Sequence, residues 1–140
     1  VPKEYVETFF SGRSDTTVLF VDDQKNARLI GLHLLRQLGF NRVLLASDGE
    51  EALRLYQLHS SEILLVLSDL QMPNMNGEEL FWQLKLANDS LRMILCSAMD
   101  LGERQNRERL NRMKAKGLRS FVAKPFSSDE FDMAVVNALM

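Results

Sequence analysis

Asp22 and Asp23 close the apolar run Val18–Val21 (LFVDDQ), and Asp69 stands just past the run Ile63–Leu67 (LLVLSDLQMP). Two like charges about 4 Å apart repel by roughly 4 kcal/mol at an effective dielectric of about 20. Acids brought that close are tolerable when a hard divalent cation neutralises them. Oxygen-only donors and few protein ligands suit Mg2+, which keeps several waters and often contacts phosphate. Two further runs end in a hydroxyl and an amine, Ser97 (ILCSA) and Lys124 (FVAKPF). A hydrogen-bond donor and a fixed positive charge are what a phosphoryl group needs. Each residue also has an ordinary reading, since Asp and Ser form turns and caps and Lys is commonly solvated. Meeting in one crevice is what would separate the two readings.

That meeting depends on the elements. The apolar runs are Val18–Val21, Val43–Ala46, Ile63–Leu67, Met93–Cys96 and Phe121–Ala123, and amphipathic stretches alternate with them. The third run is continuous, as a central strand covered on both faces requires. After the first run, Ala27, Ile30, Gly31, Leu34, Leu35 and Leu38 recur at helical spacing, with Asn26 as candidate N-cap and Gly39 as candidate stop. Ala52, Leu55 and Tyr56 mark a second helix; Leu80, Phe81, Leu84 and Ala87 a third; Phe131, Ala134, Val135 and Ala138 the last. Alternating strands and helices predict an α/β fold, a doubly wound five-stranded parallel sheet in the flavodoxin-like order 2-1-3-4-5 with helices on both faces. Ligands of such sheets bind beyond the carboxyl ends of the strands where strand order reverses, here between strands one and three. Asp22, Asp23 and Asp69 converge there, with Ser97 and Lys124 facing the same crevice.

The 140 residues fit one domain, expected at 16–140, with residues 1–15 as an N-terminal tail or short extra helix. The chain begins with Val1 rather than Met, as a piece cut from something longer would. With 46% hydrophobic and 26% charged residues and a net charge of −2, the composition is globular, without a global basic field for nucleic acid. No apolar stretch approaches the roughly 18 residues of a membrane span. The lone Cys96 has no internal disulfide partner and suits a reducing cytosol, so a cytoplasmic location is expected.

Asp22-Asp23, Asp69 with Met72-Pro73 and Gly77, Ser97-Ala98, and Lys124-Pro125-Phe126 together resemble the receiver domain of bacterial two-component response regulators. The likeness runs from about Thr16 to Leu139. It implies that Asp69 is the phosphoacceptor, taking a phosphoryl group from a histidine kinase or phosphotransfer protein. It implies that Asp22, Asp23, Asp69 and the backbone carbonyl of Gln71 hold Mg2+. Ser97 would bond a phosphoryl oxygen and Lys124 would pair with another, while Ser97 and Phe121 form the switch. Gln71 and Met99 fall at the two variable positions that border the path of hydrolytic water and so would tune dephosphorylation. The implied Lys124-Pro125 bond is cis. Members often signal through the fourth helix, fifth strand and fifth helix, which puts a homodimer or output-domain contact on that face. Direct binding of nucleic acid or membrane is not implied, and any enzymatic output would lie outside this chain.

The pattern has departures. Phe121 lacks the hydroxyl of a Tyr-type switch, the segment from Ser97 to Lys124 is longer than usual, and Lys114-Ala-Lys-Gly-Leu118 replaces a small Ala-Gly-Ala turn. Residues 103–119 hold seven basic and two acidic residues, either a solvated face or a charged docking surface. The competing reading is a receiver-like interaction module that takes no phosphate, but such modules typically lack an acid or the lysine. Haloacid-dehalogenase-like phosphatases need Asp-x-Asp on strand one, and flavin binding would set a phosphate against Asp22-Asp23.

Overall fold

The computed structural model describes residues 16–140, so the expectation for residues 1–15 lies outside the described residues. Strands β1 (Thr17–Val21), β2 (Arg42–Ala46), β3 (Ile63–Ser68), β4 (Met93–Ser97) and β5 (Ser120–Ala123) each extend their apolar run by one residue. Helices α1 (Lys25–Gln37), α2 (Gly49–His59), α3 (Gly77–Ala87), α4 (Arg104–Ala115) and α5 (Ser128–Leu139) alternate with them. The strands pair in parallel in the order β2-β1-β3-β4-β5, as the alternation predicts.

Period-two alternation along each strand divides the core between the faces. Val18, Phe20, Leu65, Leu67, Ile94 and Val122 pack with Leu35 of α1 and Phe131 and Val135 of α5. Leu19, Val21, Val66, Met93 and Leu95 pack with Ala52 and Tyr56 of α2, Leu80, Phe81 and Leu84 of α3, and Leu110 and Met113 of α4. Every residue of β1 is buried, and β1 and β3 are neighbouring interior strands of the sheet.

Helix starts explain how the loops are held. Asp48 caps α2 by accepting the Glu51 N–H, and reciprocal capping boxes close α3 (Asn76 with Glu79) and α5 (Ser127 with Glu130). The N-cap of α1 is Gln24, not Asn26, and it has no side-chain cap bond. The helix starts earlier because Asp22 Oδ1 takes the Gln24 N–H (2.9 Å) and the Gln24 carbonyl already accepts from Arg28 (3.0 Å). Gly39 ends α1 in the left-handed region (φ 102°). Ile30 does not join the buried stripe and is 56% exposed, and Ala87 is exposed too. The close fit of Gly31 against the Phe20 ring turns α1 so that Gly31 and Leu35 face the sheet.

The long segment after Ser97 contains a loop, α4 and a left-handed turn at Gly117 (φ 111°). There the Leu118 N–H returns to the Met113 carbonyl (2.9 Å) and buries Leu118, so Lys-Gly does the work of the missing small-residue turn. No helix among the described residues is long and apolar enough to cross a membrane.

Candidate functional site

The parallel ladder delivers the acids. The Asp22 N–H donates to the Ala46 carbonyl (3.1 Å) and the Asp69 N–H to the Val21 carbonyl (2.9 Å), so both residues continue the sheet pattern past its edge. Carboxylate oxygens of Asp22, Asp23 and Asp69 lie within 4.8 Å of one another. From β5, Lys124 donates its N–H to the Ser97 carbonyl (2.8 Å) and reaches over with Nζ to Asp22 Oδ2 (2.7 Å) and Asp69 Oδ2 (3.2 Å). The Lys124-Pro125 bond is cis.

Asp69 Oδ1 accepts from Leu70 N (2.7 Å) and Gln71 N (3.3 Å), while Oδ2 faces Lys124. The Asp69 side chain is 13% exposed, within reach of solvent, whereas Asp22 is 1% exposed. Burial, reinforced by the charge of Asp22, raises the Asp69 carboxyl above its ordinary value against the opposing pull of Lys124. Burial works against the Lys124 charge as well, but its hydrogen bond to Asp22 and the two carboxylates outweigh this and hold the ammonium above its ordinary value. One ammonium against three carboxylates leaves the crevice negative. That donor set fits a hard divalent cation with oxygen ligands.

Ser97 ends β4, is buried, and its Oγ accepts the Met99 N–H of its own loop (3.2 Å). Met99 is 8% exposed and packs into the core on the α2–α4 face. Gln71 is exposed, and a groove of about 620 Å³ between the loops after β3 and β4 is lined by Gln71, Asn76, Met99, Asp100 and Arg109. Phe121 is half-buried and lines a second groove, between α4 and α5, with Met133. Burial pushes the Cys96 thiol up to about 12, which removes it as a nucleophile.

Arg28, Gly77 and Asn74 shape the loops around the acids. Arg28 donates to the Asp22 carbonyl (2.8 Å) and braces the acidic turn. A Cβ at Gly77 would collide with the Asp69 carbonyl oxygen, so the glycine lets α3 start against the loop after β3. Asn74, at φ 66°, donates to Asp48 Oδ2 (2.8 Å) and ties that loop to the start of α2. Gly77 belongs to the motif already quoted; Arg28 and Asn74 act through contacts with the backbone and with another loop that spacing does not encode.

A doubly wound sheet with clustered acids at its switch point, an opposed lysine and a hydroxyl on the next strand defines a signalling receiver. Residues 18–136 match the response regulator receiver domain, and the chain belongs to that family. It is 32% identical over 122 residues to the chemotaxis protein CheY of Bacillus subtilis (strain 168), spanning 87% of this chain and 96% of that one. Among solved structures, it is similar to the CheX-CheY-BeF3-Mg complex of Borrelia burgdorferi, with TM-score 0.80, 28% identity, and coverage of 89% of this chain and 90% of that one. It also resembles the response regulator TrrA of Thermotoga maritima, solved with Mg2+ and BeF (TM-score 0.73, 27% identity, 89% and 99% covered).

Proposed function

We propose that this receiver domain takes a phosphoryl group from a phosphohistidine of a histidine kinase or phosphotransfer protein onto Asp69. The observation that carries this reading is Asp69 itself, partly exposed at the end of the central strand, among two further acids and within 3.2 Å of Lys124 Nζ. A carboxylate oxygen of Asp69 attacks phosphorus, the phosphorus–nitrogen bond breaks, and the imidazole leaves with a proton. Asp22, Asp23, Asp69 and the Gln71 carbonyl would hold Mg2+, which when bound neutralises the phosphoryl oxygens as charge builds on them. Lys124 supplies a second fixed positive charge, and leaves the Asp69 carboxylate to pair with a phosphoryl oxygen. Ser97 donates its hydroxyl to another. These roles are positioning and charge neutralisation, the main work of phosphoryl transfer.

Ser97 and Phe121 then carry the change to the surface of α4, β5 and α5, where a partner, an output domain or a second copy reads it. Gln71 and Met99 border the approach of hydrolytic water. Gln71 offers an amide that can hold a water, whereas the thioether of Met99 orients none. Slow self-dephosphorylation follows. Incubation with phosphoramidate and Mg2+ tests the reading: the parent domain is labelled, Asp69→Ala is not, and chelation abolishes labelling of the parent. Undiminished labelling of Asp69→Ala would refute it.

A further inference from the structure

The loop from Ala98 to Glu103 joins Ser97 to α4, and beside the apolar packing of Met99 and Leu101 it is held from below by polar side chains of α4. Arg107 Nη1 donates to the Leu101 carbonyl (2.9 Å) and to the Gly102 carbonyl (2.8 Å). Asn106 Nδ2 donates to the Asp100 carbonyl (2.9 Å). The loop is also turned on itself, with Gly102 N–H donating to Asp100 Oδ1 (2.8 Å). At its start, the Ser97 hydroxyl accepts the Met99 N–H and the Met99 side chain is sunk in the core. Three consecutive loop carbonyls, Asp100 to Gly102, are therefore held by two side chains of the first turn of α4.

We infer that Arg107 and Asn106 form a latch that holds the Ser97 loop with the Ser97 hydroxyl on the Met99 N–H, and that this latch sets how readily the Asp69 site accepts a phosphoryl group. This rests on Asp69 being the phosphoacceptor. For Ser97 Oγ to move onto a phosphoryl oxygen it must leave the Met99 N–H, and the loop must shift with it. Every bond from Arg107 and Asn106 opposes that shift. A ligand of the shifted state binds with an affinity reduced by the fraction of molecules not yet shifted, so weakening the latch tightens binding. Arg107 and Asn106 are positioning residues, acting on the site only through the loop.

Beryllofluoride, which mimics a phosphoryl group on a carboxylate, is the probe. Its affinity in saturating Mg2+ is measured by calorimetry for the parent, Arg107→Gln, Asn106→Ala and Arg107→Lys, with melting curves to establish that each variant is folded. Arg107→Gln binds beryllofluoride about three- to tenfold more tightly, the range expected from losing hydrogen bonds of ordinary net strength. Asn106→Ala shifts in the same direction by less. Arg107→Lys, which keeps the charge but not the planar fork, falls between Arg107→Gln and the parent. Affinity for Mg2+ alone stays unchanged, because the acids lie just past the ends of β1 and β3 and make no bond to Arg107 or Asn106. Charge alone predicts the opposite sign, since removing a cation weakens binding of an anion. Unchanged or weaker beryllofluoride binding by folded Arg107→Gln and Asn106→Ala, beside a parent that binds, would overturn the latch and leave the phosphoacceptor reading standing. A parent that binds no beryllofluoride would overturn both.

Discussion

Helices α4 and α5 flank the same short strand, β5, and are held in opposite ways. α5 buries Phe131, Ala134, Val135, Val136, Ala138 and Leu139 and starts in a capping box. α4 buries only Leu110 and Met113 and has no side-chain cap. Polar contacts hold α4 instead: Arg109 bonds Glu78 of α3 through Nε (2.9 Å) and Nη2 (2.8 Å), and Arg107 and Asn106 bond the loop before it. Apolar packing fixes position without direction and is strong in sum, whereas a few polar bonds define one geometry and are individually cheap to break. Lys124, just before the α5 cap, thus lies on the side held by apolar packing, while Ser97 leads into the side held by polar bonds.

The two helices differ most in the stability that their core residues supply. Phe131→Ala removes a fully buried ring from the α5 side and costs about 3–5 kcal/mol in urea unfolding, whereas Met113→Ala on α4 falls at the lower end of about 2–5 kcal/mol. Met113→Ala as damaging as Phe131→Ala would mean that α4 is packed as firmly as α5.

The next effect sharpens the account of the anchored acids. Folding raises the Asp69 carboxyl above its ordinary 3.8, through burial and then the charge of Asp22. Its contribution to stability is present below 3.8 and is lost as pH rises through the folded value, so ionised Asp69 costs stability at neutral pH without a cation. Asp69→Asn therefore raises the melting temperature of the metal-free domain by about 2–4 °C at neutral pH, and the gain shrinks towards pH 4. Mg2+ at about ten times its Kd stabilises the parent by about 1.4 kcal/mol and the variant far less. Thermal melts with and without the ion measure both, and equal responses would contradict the placement of Asp69 among the ligands.

The smallest effect belongs to the α3–α4 tie. Glu78→Gln costs about 0.5–1 kcal/mol at low salt and almost nothing at about 1 M salt, because the pair is only partly shielded from solvent. A salt-independent loss in denaturant titrations would show that Glu78 acts through something other than Arg109.

The same contrast explains what was legible in the sequence. Strands and the α5 side are written as apolar periodicity, so Val18–Val21, Ile63–Leu67 and the Phe131–Ala138 stripe fall where the pattern puts them. The three acids and Lys124 converge, with Ser97 at the end of the neighbouring strand, because strand ends of a parallel sheet share one edge. The α4 side is written in arginines, which look alike whether solvated or bonded. Arg109 finds Glu78 on a neighbouring helix and Arg107 finds backbone carbonyls, and neither partner has a signature in spacing. Ile30 reads as core but faces outwards, since a glycine beside it sets the rotation of the helix. Asn26 reads as a cap, but the helix starts two residues earlier at Gln24, whose N–H a buried acid holds.

The central claim is that one side chain, Asp69, receives the phosphoryl group. Reduction of the phosphorylated domain with borohydride converts an acyl phosphate into an alcohol, turning a phosphorylated aspartate into homoserine. Peptide mass spectrometry after phosphotransfer from a phosphohistidine donor then locates the modified residue. Homoserine is expected at position 69, with unmodified aspartate at Asp22 and Asp23. Homoserine at either of those positions, or at none, would contradict it.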